Sequence, residues 1–243
     1  MDGLFLIDKP EGMSSFDVIR GLRKKFPGTK MGYLGTLDPL ATGLLVIFVG
    51  MSTKLISLFE EAKKEYEASF ELGKSSDTFD STGNIVERQM KTWPTKTEVE
   101  KALVKFRGPI WQIQPPFSAV HREGKRAYEL AREGKKVDLG KRQVEIFELE
   151  LSSYHPPYGK LDILSSSGTY VRSLIAELGQ SLGTGAVMSA LRRTHVGPFR
   201  INDAVKCDDI REDQLLSAKK LFPEHVNCCC INRPCGKKAD FLQ

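Results

Sequence analysis

Cysteine is missing from most of this sequence. Residues 1–206 contain none, and four of the five cysteines lie in the stretch CCCINRPC, as Cys228, Cys229, Cys230 and Cys235. A disulfide framework distributes its cysteines along the chain, so this clustering argues against a disulfide-stabilised secreted fold. A reducing compartment suits such a chain better, and we expect a cytoplasmic protein.

Long hydrophobic runs are also absent. The longest uninterrupted apolar run is Leu44–Val49, whereas a membrane-spanning helix needs about 20 residues. The N-terminal sequence MDGLFLIDKPEG has an early Asp and no basic start before a long apolar core, so it does not resemble a secretory signal. The sequence therefore predicts a protein that neither spans a membrane nor is exported.

Neither sign of charge dominates the composition. Lys and Arg number 36 and Asp and Glu number 31, which gives a net charge of +5. This mildly basic balance permits a nucleic-acid partner but does not require one. The 243 residues are 40% hydrophobic and 28% charged, as expected for one large or two small globular domains.

Several common catalytic motifs are missing as well. The sequence contains no P-loop, no G-x-G-x-x-G, no G-x-S-x-G and no H-E-x-x-H, which argues against several enzyme classes. Asp77 and Asp80 lie three residues apart in an acidic loop, where we expect loop-fixing hydrogen bonds rather than a metal. The C-terminal group of His225, Cys228, Cys230 and Cys235 has enough ligands for zinc but lacks paired C-x2-C spacing, so free thiols remain the alternative.

Local patterns predict the first elements of the fold. Leu4–Ile7 reads as a strand that a Pro- and Gly-containing turn closes. Ser14 and Asp17 resemble a helix start, and the helix continues through apolar residues at helical spacing until Pro27. Residues 30–43 are predicted to be a loop, and Leu44–Val49 a strand buried on both faces.

The remainder of the chain contains both the two-residue period of strands and the 3.6-residue period of helices. Alternation predicts a half-buried strand over Tyr66–Leu72, and Thr95 with Glu98 predicts a helix start with a capping box. Further predicted elements are strands at 144–151 and 160–164, an amphipathic helix from Val171 to Leu182, and a short helix with Leu191, Arg192 and Arg193. Strands and helices without a regular βαβ rhythm favour an α+β fold with a mixed or antiparallel sheet.

Asp38 is the strongest candidate for a reactive side chain. It stands between GTL and PLATG, just before the predicted buried strand, so it is either a turn residue or a carboxylate held on a Gly-shaped loop as nucleophile or general base. A carboxylate in an apolar pocket needs a cationic partner, and Arg172 is a candidate, with a surface position as the alternative. Tyr66 is a candidate aromatic group, with core packing as its alternative.

Six segments taken together resemble the TruB family, the bacterial tRNA pseudouridine-55 synthases. GYLGTLDPLATGLL resembles the catalytic Asp loop of that family, and LIDKPEGMSSFDVI its N-terminal Lys-Pro motif. KKEYEASFELG, SDTFDSTG, QPPFSAVHREGKRAYELAREG and SSGTYVRSLIAELGQSLGTGAVMSALRRTHVG resemble its Tyr strand, acidic loop, RNA-facing insertion and Arg-helix segment. The segments occur in family order between residues 4 and 199. The resemblance implies a pseudouridine synthase fold, with a mixed, mainly antiparallel sheet flanked by helices.

The resemblance also implies roles for individual residues. Asp38 matches the family's nucleophile, Tyr66 the Tyr that stacks on the target base and accepts a proton, and Arg172 the Arg that pairs with the nucleophile. Matches to substrate-binding positions are Tyr170 and Leu191 in the uracil pocket, Lys9 in the motif that supports the catalytic loop, and Tyr33. Tyr33 stands where the family usually has a His that fills the gap left by the flipped base. The chemistry implies neither a metal nor another cofactor.

The implied partner is the T-arm of tRNA, bound by a monomer. Its phosphates would contact residues 121–142, where basic residues exceed acidic ones by four, together with Arg192 and Arg193. We expect a catalytic domain over residues 1–210 and a short Cys-rich tail over 211–243, too short for the C-terminal RNA-binding domain usual in the family. The departure at Tyr33, together with the expected lack of the usual C-terminal domain, leaves a second hypothesis open, a tRNA-binding folding helper that has lost catalysis.

Overall fold

The chain divides into two units. The computed structural model describes residues 1–115 and 140–218, with the backbone of residues 121, 122, 125 and 126 between them. The first unit comprises Met1–Glu65 and the chain from Arg192 onward, and the second comprises Tyr66–Leu191. Most of the basic segment 121–142 and the Cys-rich stretch with its candidate zinc ligands lie outside the described residues, so those predictions remain predictions.

Fourteen strands and three α-helices are found in the described residues. The strands are β1 (Gly3–Lys9), β2 (Met31–Leu34), β3 (Thr42–Val49), β4 (Lys64–Leu72), β5 (Lys74–Ser76), β6 (Ile85–Glu87), β7 (Gly108–Ile113), β8 (His121–Arg122), β9 (Lys125–Arg126), β10 (Lys141–His155), β11 (Tyr158–Ser165), β12 (Ala186–Val196), β13 (Phe199–Arg200) and β14 (Val205–Lys206). The helices are α1 (Ser15–Lys25), α2 (Lys96–Val104) and α3 (Val171–Ser181). Short 3₁₀ helices cover Gly50–Phe59, Ile201–Asp203, Cys207–Asp209 and Glu212–Gln214.

The central strand of the first unit is β3. It pairs antiparallel with β1 and β2 and parallel with the Arg192–Arg193 part of β12, while β14 runs parallel to β1. Every residue from Gly43 to Val49 is buried, which confirms the prediction of a strand covered on both faces. Apolar residues of β1 and β3 pack with Leu55 and Phe59 of the 3₁₀ helix, so the core of this unit lies against the central strand.

Helix α1 begins where its sequence predicts. The Ser14 hydroxyl accepts a hydrogen bond from Asp17 N–H, and the Asp17 carboxylate accepts one from Ser14 N–H, which completes a capping box. Val18, Ile19 and Leu22 are buried on one face of the helix. The helix therefore packs through the apolar face that the 3.6-residue period specifies.

The second unit contains an antiparallel sheet and two helices. β10 pairs antiparallel with both β11 and β7, and β11 lies next to β4, whose alternating residues from Tyr66 to Leu72 are buried as predicted. α2 begins at a capping box between Thr95 and Glu98, also as predicted. α3 buries Val171, Leu174, Ile175 and Leu178, so the amphipathic prediction is confirmed.

Two local predictions are wrong. The segment with Leu191, Arg192 and Arg193 forms part of strand β12, not a short helix, and residues 31–34 of the predicted loop form strand β2. Ala, Leu, Met and Arg favour helix in isolation, but pairing with a central strand outweighs a propensity difference of less than about 1 kcal/mol per residue. Both strands pair with β3, a contact that local sequence does not reveal.

The predicted fold class is confirmed. Strand pairing is mixed in the first unit and antiparallel in the second, and each unit also contains helices, as in the α+β class. Within residues 1–115 and 140–218, no helix combines the length and the apolar character that crossing a membrane requires.

Candidate active site

Asp38 lies in the connection between β2 and β3 of the first unit. The loop begins at Gly35, whose φ of 69° lies in the left-handed region that favours glycine, and Ala41 N–H donates to Asp38 C=O at 3.0 Å to close a turn. Asp38 is half-buried, and the neighbouring Leu37 and Ala41 are buried. The backbone therefore anchors a carboxylate at the surface between two buried apolar side chains.

A buried lysine holds the backbone of Pro39, the residue that follows Asp38. Lys9, the last residue of β1, is fully buried, and its Nζ donates to Met13 O at 2.6 Å, Pro10 O at 2.8 Å and Pro39 O at 3.5 Å. Gly12 N–H also donates to Pro39 O, at 2.8 Å. Lys9 thus connects the turn after β1 with the Asp38 loop, and the structure brings these two predicted site residues together.

The environment of Lys9 disfavours its charge. Burial lowers the pKa of Lys9 to about 8, and the nearby Cys207, Asp38 and Glu11 oppose that shift while Arg193 reinforces it. The unfolded chain has the ordinary lysine pKa of 10.5, so between those two pH values the unfolded state binds more protons than the folded state. The contribution of Lys9 to stability therefore rises as the pH rises from 8 to 10.5.

Lys9→Met is expected to remove this pH dependence. Across pH 8 to 10.5 the free energy of unfolding of the wild type should increase relative to that of the variant, because the neutral amine is easier to bury. Urea unfolding at several pH values measures the difference. The exposed Lys24→Met variant is the control and should follow the wild-type curve. If the free energies of unfolding of the wild type and Lys9→Met changed with pH in parallel, the lowered pKa of Lys9 would be contradicted.

Arg193 holds both ends of the Asp38 loop. Its guanidinium donates to Leu44 O at 2.8 Å, Gly35 O at 3.1 Å and Leu34 O at 3.4 Å, and the residue is 1% exposed. The prediction that Arg193 contacts phosphates is therefore wrong, because the side chain is buried and donates to backbone carbonyls of the first unit. Arg192, its neighbour on β12, forms a two-fold hydrogen-bonded ion pair with Asp8 at 2.8 and 3.1 Å.

Arg193→Met is expected to destabilise the protein by about 3 kcal/mol or more. The substitution leaves buried carbonyls without their donor, at a cost of roughly 1–3 kcal/mol for each such group. Arg192→Met is the matched control, since that side chain is 39% exposed and an exposed ion pair contributes about 0–1 kcal/mol. Urea unfolding compares the two variants, and equal losses would show that burial does not distinguish them.

Arg172 and Tyr170 lie together in the second unit, at the start of α3. Arg172 is 4% exposed, which excludes the surface alternative. Its Nη1 donates to Thr78 O at 3.1 Å, and its guanidinium carbon lies 5.8 Å from the centre of the Tyr170 ring. The guanidinium therefore contacts both the acidic loop and an aromatic ring.

Gln112 fixes the backbone from which both side chains extend. Tyr170 N–H donates to Gln112 Oε1 at 2.8 Å, and Gln112 Nε2 donates to Tyr170 O at 2.9 Å. Gln112 lies on β7 and is 1% exposed. The sequence does not predict this role of Gln112, because no local pattern connects a single polar residue with a partner 58 residues away.

The acidic loop is fixed by its own carboxylates. Asp80, 4% exposed, accepts hydrogen bonds at one oxygen from the Thr78 hydroxyl and from Thr82 N–H and Oγ1, at 2.6 to 3.0 Å. Asp77 accepts from Asn84 N–H and Nδ2 at 2.9 and 2.8 Å. These contacts confirm the expected loop-fixing hydrogen bonds. They position the Thr78 carbonyl to which Arg172 donates.

The remaining candidates lie on strands. Tyr33 is half-buried on β2, opposite Ile47 of β3, in the same unit as Asp38 and Lys9. Tyr66 on β4 and Leu191 on β12 are each 8% exposed and belong to the second unit with Tyr170 and Arg172. Among residues 1–115 and 140–218, no three His, Cys, Asp or Glu side chains are grouped to hold a metal ion.

Comparison with known proteins adds family matches over most of the chain. Residues 23–171 match a family model described as TruB family pseudouridylate synthase (N terminal domain). Residues 172–228 match one described as tRNA pseudouridylate synthase B C-terminal domain. The predicted domain boundary at residue 210 stays a prediction.

Curated relatives and solved structures agree with these matches. A protein named tRNA pseudouridine synthase B from Syntrophomonas wolfei is 46% identical over 92% of this chain and 76% of its own length. A protein of the same name from Bordetella avium is 40% identical over 87% of each chain. A structure titled as a Cbf5-Nop10-Gar1 complex is similar with a TM-score of 0.67 and 25% identity, over 94% of this chain and 58% of that one. An H/ACA RNP bound to a substrate RNA containing 2'-deoxyuridine matches with a TM-score of 0.64 and 25% identity, over 85% and 51%.

Proposed function

Since the chain belongs to the TruB family of pseudouridylate synthases, we propose that it isomerises the T-loop uridine at position 55 of tRNA to pseudouridine. The observation that carries the proposal is 46% identity over 92% of the chain to a protein named tRNA pseudouridine synthase B. The anchored loop around Asp38 supports the same activity, because the reaction needs a carboxylate held in a defined place.

The reaction exchanges one glycosidic bond for another. The bond between C1' of the ribose and N1 of uracil breaks, the base rotates, and a bond forms between C1' and C5. C5 then loses its proton, and N1 gains one, so atoms and electrons balance within the nucleotide. An isomerisation of this kind consumes neither an oxidant nor a reductant, in line with the expectation that no cofactor is required.

In the proposed mechanism the Asp38 carboxylate attacks C1' as the C1'–N1 bond breaks, and its bond to C1' breaks again when C5 bonds to C1'. Tyr66 then accepts the C5 proton. Arg172 is the cation that keeps the nucleophilic carboxylate ionised, as a guanidinium does for a neighbouring carboxyl group. These roles rest on the matching family motifs. The burial of Arg172 and its bond to Thr78 O are consistent with a fixed guanidinium rather than a solvated one.

The base must leave its stack before it can react. Extrusion costs a few kcal/mol, and stacking on an aromatic ring such as that of Tyr66 returns about 1–3 kcal/mol. We assign Tyr170 and Leu191 to the uracil pocket and Tyr33 to the gap that the extruded base leaves. Lys9 acts on the catalytic loop, because its ammonium is buried against backbone carbonyls.

We propose that the protein acts as a monomer on the T-arm of tRNA in the cytoplasm. Its mildly basic composition supports an RNA partner, since phosphate contacts by Lys and Arg supply most of the sequence-independent affinity. With Arg193 buried, those contacts fall to other basic residues, and the segment 121–142 remains the candidate from sequence.

A labelling assay tests the function. The protein is incubated with an unmodified tRNA transcript, and pseudouridine is located by cyanoethylation and mass spectrometry. We expect one modified nucleotide, at position 55, and none in a transcript with cytidine at that position. Tight binding without modification would overturn the enzymatic proposal and favour the folding helper, and modification elsewhere would overturn the assigned substrate position.

A further inference from the structure

The hydroxyl of Ser15 makes two hydrogen bonds to the backbone of one distant residue, Leu37. Leu37 N–H donates to Ser15 Oγ at 2.8 Å, and Ser15 Oγ donates to Leu37 O at 3.1 Å. Ser15 is the first residue of α1 and is 1% exposed, and Leu37 is 3% exposed. One side chain thereby satisfies both the donor and the acceptor of the residue directly before Asp38.

The helix does not need this hydroxyl for its own start. Ser14 caps α1, since its Oγ accepts from Asp17 N–H at 3.1 Å and its N–H donates to Asp17 Oδ2 at 3.0 Å. The two adjacent serines thus have separate tasks. Ser14 completes the capping box, whereas Ser15 connects the first turn of the helix to the Asp38 loop.

The residues on both sides of Asp38 are consequently held from within the first unit. Ser15 holds Leu37, and Lys9 Nζ together with Gly12 N–H holds the carbonyl of Pro39. Backbone torsions on either side of Asp38 determine where its Cα–Cβ bond points. A reaction that requires attack along one direction is sensitive to that orientation, because a displacement of about 1 Å can cost about 100-fold in rate.

We propose that Ser15 is a positioning residue for Asp38, which directs the carboxylate through the backbone of Leu37 without contacting RNA itself. This inference rests on the proposed role of Asp38 as nucleophile. It requires that the chemical step depend on the Ser15 hydroxyl while tRNA affinity does not. It also requires that removal of the hydroxyl loosen the backbone of residues 35–41 rather than that of α1.

Ser15→Ala and Ser14→Ala form the matched pair that tests the proposal. Each removes one hydroxyl from the same turn, and both are expected to lower thermal stability. The single-turnover rate at saturating enzyme should fall about 10- to 100-fold in Ser15→Ala and less than about 2-fold in Ser14→Ala. The dissociation constant for unmodified tRNA should stay within about 2-fold of the wild type in both, because the bonds at Ser15 are internal.

Hydrogen–deuterium exchange supplies a readout that does not depend on turnover. Amides of residues 35–41 should exchange faster in Ser15→Ala than in the wild type and remain unchanged in Ser14→Ala. Ser15→Cys fits nearly the same volume with a weaker hydrogen-bonding group, so its rate should lie between those of the wild type and Ser15→Ala. This variant keeps the test available if Ser15→Ala does not fold.

The outcomes separate this inference from the function on which it rests. Equal rates in Ser15→Ala and Ser14→Ala, measured on folded protein, overturn the positioning role even if exchange in the loop becomes faster. A parallel loss of tRNA affinity and rate in Ser15→Ala also overturns it. Absence of turnover in the wild type, with exchange in the loop still dependent on Ser15, identifies the proposed function as the part that failed.

Discussion

Asp38→Asn should abolish pseudouridine formation, with a rate lowered by about 10⁴-fold or more. The amide has nearly the size of the carboxylate but cannot act as the nucleophile, so the chemical step loses its reactive group. Affinity for tRNA should change by less than about 2-fold, because phosphate contacts supply most of it. Single-turnover labelling measures the rate, and filter binding with the same tRNA measures the affinity.

A second carboxylate of the same unit provides the control. Asp203 lies exposed in a short 3₁₀ helix, and Asp203→Asn makes the same chemical change away from the loop. We expect it to keep the wild-type rate. Turnover of Asp38→Asn at a rate close to that of Asp203→Asn would exclude Asp38 as the nucleophile. It would favour the alternative that Asp38 is only a turn residue.

Arg172→Ala should lower the rate by about 100- to 1000-fold, the usual effect of removing one preorganised electrostatic group. The guanidinium is buried and contacts Thr78 O and the Tyr170 ring, and the alanine side chain carries no group that could replace its charge. The dissociation constant for tRNA should change far less than the rate. The same labelling and binding assays measure both quantities.

Two further variants separate charge from structure. Arg172→Lys keeps the charge but loses the planar fork, so we expect a rate between those of Arg172→Ala and the wild type. Arg107, in the same unit, also donates from its guanidinium to a backbone carbonyl, Leu149 O, at 2.7 and 3.2 Å. Arg107→Ala should reduce stability without slowing the folded enzyme. A loss of rate equal to that of Arg172→Ala would assign Arg172 a structural role alone.

Elements with strong local signals were predictable. The capping residues Ser14 and Thr95 mark helix starts because their bonds join residues three apart in the chain. Alternating apolar residues indicate a half-buried strand over Tyr66–Leu72. An uninterrupted apolar run indicates a strand buried on both faces over Leu44–Val49. Neighbouring residues and family motifs likewise indicate the candidate residues Asp38, Tyr66 and Arg172.

Elements and roles that depend on distant partners were not predictable. The composition around Leu191, Arg192 and Arg193 predicts a short helix, yet these residues lie on β12, whose Arg192–Arg193 part pairs with β3. Both Arg192 and Arg193 are predicted to contact phosphates, because the sequence does not show which arginine of the pair faces the interior. The acceptors of Arg193 lie about 150 residues earlier in the chain, at Leu34, Gly35 and Leu44.

The sequence by itself determined the fold class, the family, and the loop on which Asp38 stands, since these are written in periodicity and in motifs of adjacent residues. Tertiary structure alone decided what holds that loop. Ser15, Lys9 and Arg193 became anchors because folding removed them from water, and a buried donor must find an acceptor wherever the chain brings one. Which distant carbonyl that is depends on strand pairing and packing, which short-range patterns do not encode.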